Sequence, residues 1–247
     1  MVLTVDIGNT AIHLGAFAGK RLTRRQSLPT LLAKAPARLR RRLARMGAAE
    51  QAVICSVVPW ATPMVERAVK EAGCAHVRVV GRDVKVPLKN RYKYPKQVGQ
   101  DRLVGGYAAW KEFKRACIVC DFGTAVTIDV VSAKGEYLGG IIAPGLELSL
   151  ETLAARTALL PKVDLRQPSE LLGRDTATSI RSGIVYGCAA LCDGLTARLK
   201  RRYAPRAVVV ATGGAASLIA RHARSIDRLR PHLVLEGLFQ LRPIKSS

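Results

Sequence analysis

Residues 1–10 read MVLTVDIGNT, a short apolar run that ends at an aspartate, a glycine and two small polar residues. The run Val2–Val5 has the composition of a buried strand. Glycine at a strand end permits a tight turn and close approach of a ligand to the backbone, while Asn9 and Thr10 add side-chain donors. The segment therefore predicts a strand that brings a carboxylate, Asp6, and a polar turn to one place.

The same pattern recurs later in the chain. Residues 117–124 read CIVCDFGT, so Asp121 ends a second apolar strand 115 residues after Asp6. After each carboxylate come a glycine two positions on, small polar residues, a second strand, a turn and a third strand. Recurrence of this order indicates two similar halves, which we place at residues 1–115 and 116–247.

Strand and helix patterns alternate around these two segments. We predict strands at 2–6, 12–17, 21–28, 52–58 and 76–80 and helices at 30–46 and 61–72, followed by a helix that opens at Asp101. In the second half we predict antiparallel strands joined at AKGE, helices at 146–157 and 175–202, a strand at 207–211, a helix opened by TGGAA (212–216) and a last helix containing LEGLFQL. This alternation is typical of an α/β protein.

A long segment between the two strand sets lacks periodicity. Residues 85–100, KVPLKNRYKYPKQVGQ, carry two prolines and a concentration of positive charge. We predict a loop, and a loop of this length is usually either functional or mobile.

The charge balance is strongly basic. Lys and Arg number 40 against 18 Asp and Glu, for a formal charge of +22. Such a field favours anionic partners, from nucleotides to nucleic acids and membranes, without choosing among them. Much of the excess lies in residues 38–46 and 197–206, where a solvated helix face is the simplest interpretation. We find no recognisable helix-turn-helix, zinc-finger or RNA-binding signature, so we do not expect nucleic acid as a partner.

The six cysteines and the hydropathy pattern predict a cytoplasmic protein with reduced thiols. No apolar run approaches the roughly 18 residues that a membrane helix needs, and no signal peptide is expected before the first strand. Cys117 and Cys120 form a CxxC pair, but on a strand they point to opposite faces. Without a second such pair, we interpret them as structural.

Three glycine-rich turns follow strands: DIGNT (6–10), DFGTAVT (121–127) and ATGGAA (211–216). Such turns present N–H and hydroxyl donors that suit phosphate oxygens. The chain has neither GxxxxGK[ST] nor GxGxxG after the first strand, so we expect neither a P-loop nor a dinucleotide fold.

This arrangement resembles the acetate kinase, sugar kinase, Hsp70 and actin superfamily, in which two ribonuclease-H-like halves with mixed sheets face a nucleotide cleft. Within it, the chain resembles the type III pantothenate kinase (Baf) family nearly from end to end. The resemblance rests on the order and spacing of DIGNT (6–10), YPKQVGQDRL (94–103), DFGTAVTIDVV (121–131), YLGGIIAPGLELSLETLAARTALLP (137–161), DTATSIRSGIVYG (175–187), ATGG (211–214) and LEGL (235–238).

The resemblance implies an activity and a set of site residues. The family phosphorylates pantothenate with ATP and Mg²⁺ in the first step of coenzyme A biosynthesis, needs a monovalent cation (K⁺ or NH₄⁺) and acts as a homodimer. The ATP site implied by the resemblance comprises Asp6 (the Mg²⁺ carboxylate), Ile7, Gly8, Asn9, Thr10, Ala11, Ile12, His13, Thr124, Gly213 and Gly214. The implied pantothenate site comprises Tyr92, Gly99, Gln100, Asp101 (the catalytic base), Arg102 and Thr176. Asp121 is implied as the ligand of the monovalent cation.

Elementary chemistry supports some of these roles. Two carboxylates, Asp6 and Asp121, would repel a triphosphate between them unless cations intervened. We expect the helix dipole and Arg102 to keep Asp101 ionised. An ionised aspartate is a weak base, which suffices for a phosphoryl transfer with a loose transition state. Arg102 suits either the substrate's carboxylate or a phosphate.

Other interpretations remain open at this point. Asp101 and Thr176 could cap helices, and Tyr92 could be a surface aromatic. Ala11, His13 and Gln100 depart from residues usual in the family, so the role of His13 in particular is not defined. The chain could instead be a nucleic-acid-associated accessory protein of the Baf type, or a superfamily kinase with another acceptor, since only the resemblance identifies pantothenate.

Overall fold

In the computed structural model, which describes residues 1–242, the opening segment forms the central strand of a five-stranded sheet. Its strands are β1 (Val2–Ile7), β2 (Ala11–Ala18), β3 (Arg21–Pro29), β4 (Gln51–Ser56) and β5 (His76–Val79), in the spatial order β3-β2-β1-β4-β5. Strand β1 is antiparallel to β2 and parallel to β4. Apolar residues on β1 and β4 are buried because neighbouring strands and helices cover them.

Two helices complete this part of the chain, α1 (Pro36–Ala44) and α2 (Ala61–Glu71). The single helix predicted over 30–46 is wrong in one respect, because a 3₁₀ turn at Thr30–Lys34 precedes α1 as a separate element. Proline disfavours helical backbone in the residue before it. Accordingly, Ala35 has φ −121° and ψ 75° just before Pro36, and the helix begins only at the proline.

The second sheet repeats the first. It contains β6 (Lys89–Asn90), β7 (Cys117–Phe122), β8 (Ala125–Val131), β9 (Glu136–Pro144), β10 (Val208–Thr212) and β11 (Arg228–Leu229). The spatial order is β11-β10-β7-β8-β9-β6, in which β9-β8-β7-β10-β11 has the same arrangement as β3-β2-β1-β4-β5. The predicted α/β class with two ribonuclease-H-like halves is confirmed. Strand β6 is an addition, since we predicted only a loop there.

The remaining helices are α3 (Gln100–Phe113), α4 (Leu146–Arg156), α5 (Thr176–Tyr203), α6 (Ala216–Ile219) and α7 (Leu233–Gln240). Asp175 caps α5 through a reciprocal capping box, in which its carboxylate accepts the N–H of Thr178 at 2.8 Å. That bond is the largest cause of the lowered pKa of Asp175. The long predicted helix at 175–202 is confirmed, with Asp175 rather than Thr176 as its cap.

The described chain folds into two compact units that interleave in sequence. The first unit contains residues 1–88, residues 94–108 and the described chain from Leu233 onward, and the second contains residues 89–93 and 109–232. Helix α7 belongs to the first unit because it packs on β1, β2 and β4, where Phe239 stacks on Phe17 with ring centroids 4.4 Å apart. The boundary at residue 115, which divides the repeated halves in sequence, stays a prediction.

Three glycines on α5 face outward. A Cβ added at Gly183, Gly187 or Gly194 would meet no atom of the described chain within 4 Å. By contrast, Ala189 is 2% exposed and lies in the core of the second unit. Close packing on this helix therefore occurs at Ala189, and the three glycines form an exposed face. No helix within residues 1–242 is long and apolar enough to cross a bilayer.

All six cysteines are free thiols. The CxxC residues lie on opposite faces of β7, as predicted: Cys120 contacts Cys192, with sulfurs 3.7 Å apart, in the core of the second unit. Burial raises the pKa of Cys117 to about 12. Among residues 1–242, no group of three or more His, Cys, Asp or Glu side chains could hold a metal ion.

Candidate active site

The turn after β1 is held by its own backbone and by Thr30. The N–H of Gly8 donates to the carbonyl of Ala11 at 2.9 Å, and the N–H of Thr30 donates to the carbonyl of Thr10 at 3.0 Å. The hydroxyl of Thr30 donates to the carbonyl of Gly8 at 2.7 Å. Thr30 is only 2% exposed, so these bonds hold the turn in one conformation. Sequence reasoning missed Thr30, whose only signal is a threonine directly after the proline that ends β3.

Side chains in this turn divide into two groups. Asn9, Thr10 and His13 are exposed, whereas Ile7 and Ile12 are fully buried. The exposed residues can donate to a ligand through their side chains. Ile7 and Ile12, which we predicted at the ATP site, could take part only through their backbone atoms.

Asp6 occupies the middle of a row of side chains across the first sheet. In the strand register it lies opposite His13 on β2 and opposite Cys55 on β4. Directly opposite residues project from the same face of a sheet. The imidazole, the carboxylate and the thiol therefore share one face.

Asp101 is the second residue of α3, and it lies inside the helix rather than at its cap. Its Oδ1 accepts the N–H of Arg102 at 2.8 Å. A Cβ at Gly99 would lie 2.4 Å from the same oxygen, which is closer than any real contact. Only glycine at position 99 accommodates this orientation of the Asp101 carboxylate.

Cys55 lies on β4 opposite Asp6, and Gly99, two residues before Asp101, lies against Val57 just after the same strand. The thiol is fully buried, and burial is the largest cause of its raised pKa. The negative charges of Asp6 and Asp101 raise that pKa further. Both carboxylates are thus close enough to Cys55 to act on it electrostatically, and Cys55 remains a neutral thiol near pH 7.

Gln100, the first residue of α3, packs against the turn that follows β5. Gly81 in that turn has φ +88°, and a Cβ there would lie 3.0 Å from Cδ of Gln100. The positive φ and the close contact both favour glycine. The amide of Gln100 therefore has a defined position beside the helix start that carries Asp101.

In the second unit, Asp121 lies near the end of β7 and directly opposite Thr212 on β10. Gly213 follows with φ +93°, and a Cβ there would lie 2.3 Å from Oδ1 of Asp121 and 2.7 Å from the backbone of Phe122. The glycine backbone packs directly against the carboxylate. A Cβ at Gly214 would meet no atom within 4 Å in the described chain, so the next residue faces open space.

Thr124 lies in the turn between β7 and β8, and Gly145, the residue just before α4, packs against this turn. The N–H of Gly145 donates to the carbonyl of Thr124 at 3.1 Å. A Cβ at Gly145 would lie 2.2 Å from that oxygen and 2.4 Å from the carbonyl of Gly123. Gly145 is a residue that sequence reasoning missed as a positioning element, although the quoted motif IIAPG contains it.

Tyr92 and Thr176 also belong to the second unit. The ring of Tyr92 lies 6.3 Å from the ring of Tyr137, centroid to centroid. Thr176 is the exposed first residue of α5, next to the capping Asp175.

The two units thus hold different parts of the predicted site. The first holds residues 6–13, Gly99, Gln100, Asp101 and Arg102, and the second holds Tyr92, Asp121, Thr124, Thr176, Gly213 and Gly214. Each unit brings a strand-terminal carboxylate together with glycine-rich turns.

The donor set fits a phosphate-bound metal better than an all-protein metal cage. Mg²⁺ commonly uses one or two carboxylates and takes its remaining ligands from water and substrate phosphates. A partly exposed carboxylate such as Asp6, next to a turn with exposed Asn9 and Thr10 side chains, suits that pattern.

Comparison with known proteins identifies the family. The family model for type III pantothenate kinase matches residues 2–198. The chain is 39% identical over 246 residues to the type III pantothenate kinase of Moorella thermoacetica, with 96% of this chain and 97% of that protein covered. It is also 39% identical to the type III pantothenate kinase of Geobacter sulfurreducens, with 96% of each chain covered.

Solved structures agree on the fold. A Campylobacter jejuni protein named as a Baf family transcriptional activator superposes with a TM-score of 0.63 at 17% identity, over 97% of this chain and 96% of that one. At that identity the likeness shows the fold alone. Family match, sequence identity and coverage together show that this chain belongs to the type III pantothenate kinase family, the ATP-dependent kinases of coenzyme A biosynthesis.

Proposed function

We propose that Asp101 is the base in the phosphorylation of pantothenate to 4′-phosphopantothenate by this chain. The observation that supports this role is the fixed orientation of the Asp101 carboxylate, whose Oδ1 accepts the N–H of Arg102 beside Gly99, in the same unit as Asp6. In protein kinases, one aspartate holds the phosphate-bound metal and another accepts the proton of the acceptor hydroxyl.

In this mechanism, Asp101 accepts the proton of the primary hydroxyl as that oxygen forms its bond to the γ-phosphorus. The bond between the γ-phosphorus and ADP breaks in the same displacement. The N–H of Arg102 fixes one carboxylate oxygen of Asp101, and Gly99 leaves room for it. Such positioning contributes much of the rate in phosphoryl transfer, since the transition state needs little covalent help from the protein.

The turn after β1 is the proposed ATP phosphate site. Asp6 would hold Mg²⁺, and the exposed side chains of Asn9, Thr10 and His13 lie along the turn that Thr30 fixes. Bound Mg²⁺ would neutralise the charge of the phosphates. Residues Gly8 and Ala11 take part through the backbone of the same turn.

In the second unit, Asp121 is the proposed ligand of K⁺ or NH₄⁺, with Gly213 packed against its carboxylate. Thr124 is the proposed nucleotide contact in the adjacent turn, and Gly214 lies where an adenosine has room. Tyr92, Gln100, Arg102 and Thr176 are the proposed pantothenate contacts, with Arg102 binding an anionic group. A cytoplasmic location accords with six free cysteines.

We expect purified protein to release ADP with pantothenate, and the rate to fall when K⁺ is replaced by Na⁺. A coupled ADP-release assay over a panel of primary alcohols measures this, with a pantothenate analogue lacking the primary hydroxyl as the control. Turnover with another acceptor but none with pantothenate would assign the chain to a different kinase activity.

We propose that the chain forms a homodimer through the exposed face of α5. Gly183, Gly187 and Gly194 lie on one side of this helix with nothing of the described chain within 4 Å of an added Cβ. Leu191, 37% exposed, lies on the same helix. Small residues allow two helices to approach closely, and Leu191 would add apolar area to such a contact.

Light scattering is expected to give about twice the chain mass of 26.7 kDa. Gly187→Glu is expected to halve that mass without unfolding the protein, because a Cβ at this exposed position has open space around it in the described chain. Met64→Glu, at a 43% exposed position on α2, is the control that should remain a dimer. A wild-type protein of single-chain mass would contradict the proposal.

A further inference from the structure

Residues 89–93 form a short strap between two stretches of the first unit, yet they belong to the second unit. Strand β6 runs parallel to the start of β9, with Lys89 opposite Glu136 and Asn90 opposite Tyr137. The N–H of Lys89 donates to the carbonyl of Gly135 at 3.1 Å, and the N–H of Arg91 donates to the carbonyl of Tyr137 at 2.8 Å. An edge strand of two residues makes few backbone bonds, so side-chain contacts can contribute much to its position.

The pair Arg91–Glu136 supplies such a fixation. Nε and Nη2 of Arg91 both donate to Oε1 of Glu136, at 3.0 and 2.7 Å. The other carboxylate oxygen accepts the hydroxyl of Ser132 at 3.4 Å, and that hydroxyl accepts the N–H of Glu136 at 3.2 Å. The carboxylate is therefore oriented toward Arg91 by the turn between β8 and β9. The side chain of Arg91 is 49% exposed, and ion pairs this exposed add little to the stability of a domain.

Tyr92 follows Arg91, and its ring packs against Gly139 and Tyr137 of β9. Its N–H donates to Oδ1 of Asn90 at 2.9 Å, and its ring lies over Gly139, where a Cβ would be 3.7 Å away. The neighbouring ring of Tyr137 is fully buried, and its hydroxyl donates to buried Asp129 at 2.7 Å. The surface beneath Tyr92, formed by Gly139 and Tyr137, is held in place by burial and the bond to Asp129. The position of residues 89–93, which carry Tyr92, depends on the contacts of Arg91 with Glu136.

We infer that Glu136 and Arg91 are positioning residues that hold Tyr92 in the conformation that binds the acceptor substrate. This inference rests on the proposed function of Tyr92 at the pantothenate site. Without the Arg91–Glu136 pair, residues 89–93 would sample more conformations. Only the fraction with Tyr92 in the binding conformation would accept the substrate, so the apparent affinity falls. Because Asp101 is on α3 in the first unit, the chemical step should keep its rate.

The first test is Glu136→Gln, which removes the charge and keeps the shape. We expect KM for pantothenate to rise about fivefold, the upper part of the range for a partly exposed ion pair, with kcat and KM for ATP unchanged. A rise in KM alone indicates loss of binding rather than of transition-state stabilisation. Glu112→Gln is the matched control, because Glu112 makes a similar partly exposed pair with Arg230 in the same unit, and it should leave KM unchanged.

A double-mutant cycle identifies the pair itself. Arg91→Gln should raise KM to the same extent as Glu136→Gln, and the double variant should be no worse than either single variant. Additive effects of the two changes would overturn the inference, as would an unchanged KM or a fall in kcat alone in Glu136→Gln.

Limited trypsin digestion provides a readout that needs no substrate. Cleavage after Lys93 should be faster in Glu136→Gln than in wild type and unchanged in Glu112→Gln. Equal cleavage rates in all three proteins would overturn the anchoring of the strap. If wild type fails to phosphorylate pantothenate, the proposed function fails, and the digestion still decides whether Glu136 anchors the strap.

Discussion

Asp101→Asn is expected to lower kcat for pantothenate about 10²- to 10⁴-fold, the usual contribution of a general base. Asparagine has nearly the same shape, and its oxygen can still accept the N–H of Arg102 that Asp101 accepts at 2.8 Å. The amide cannot accept the proton of the substrate hydroxyl. The variant should therefore fold normally and bind both substrates while failing at the chemical step.

Steady-state ADP release measures this loss, and a thermal scan with KM for ATP serves as the control for folding and binding. Both control values should stay close to wild type. A variant that retains a rate within about threefold of wild type, against the 10²-fold or greater loss expected of a base, would remove Asp101 from that role and assign proton transfer to another group.

Gly213→Val is expected to produce the largest loss of stability. Backbone with φ +93° is strained for any residue with a Cβ, and here that Cβ would lie 2.3 Å from Oδ1 of Asp121 and 2.7 Å from the backbone of Phe122. Strain and overpacking together cost about 2–5 kcal/mol. We expect the melting temperature to fall by about 5–15 °C.

The same substitution should also displace the Asp121 carboxylate, so the residual activity should lose its response to K⁺. Gly214→Val is the matched control for stability, because it adds the same side chain one residue later, where a Cβ meets nothing of the described chain within 4 Å. Equal melting temperatures for the two variants would show that the backbone beside Asp121 tolerates a side chain.

The duplicated architecture could be predicted because its signals are local. Each half begins with an apolar strand, a carboxylate and a glycine, and these signals follow from strand burial and turn chemistry. The strand order around β1 and around β7 is the same, as expected for repeated units. The positions of Asp6, Asp101 and Asp121 at strand and helix ends were predictable for the same reason.

Features that depend on distant contacts were not predictable. Strand β6 has only two residues. Arg91, which follows the strand, pairs with Glu136, 45 residues further along the chain. Position 145 requires glycine because the carbonyl of Thr124 leaves no room for a Cβ. Thr30 matters because its hydroxyl donates to the carbonyl of Gly8. In each case the contact is made by a residue distant in sequence, and the neighbouring residues do not indicate which one it is.

Helix α7 has a consequence for how the protein is made. The helix covers β1, β2 and β4, and Leu235 packs against the backbone of Gly15. Synthesis proceeds from the amino terminus, so the ribosome must reach α7 (Leu233–Gln240) before this face of the first sheet can be covered. An uncovered apolar face promotes aggregation. Strand β1 is therefore fully packed only after α7 has been made, and we expect chaperones or rapid synthesis of the intervening residues to limit aggregation of the nascent chain.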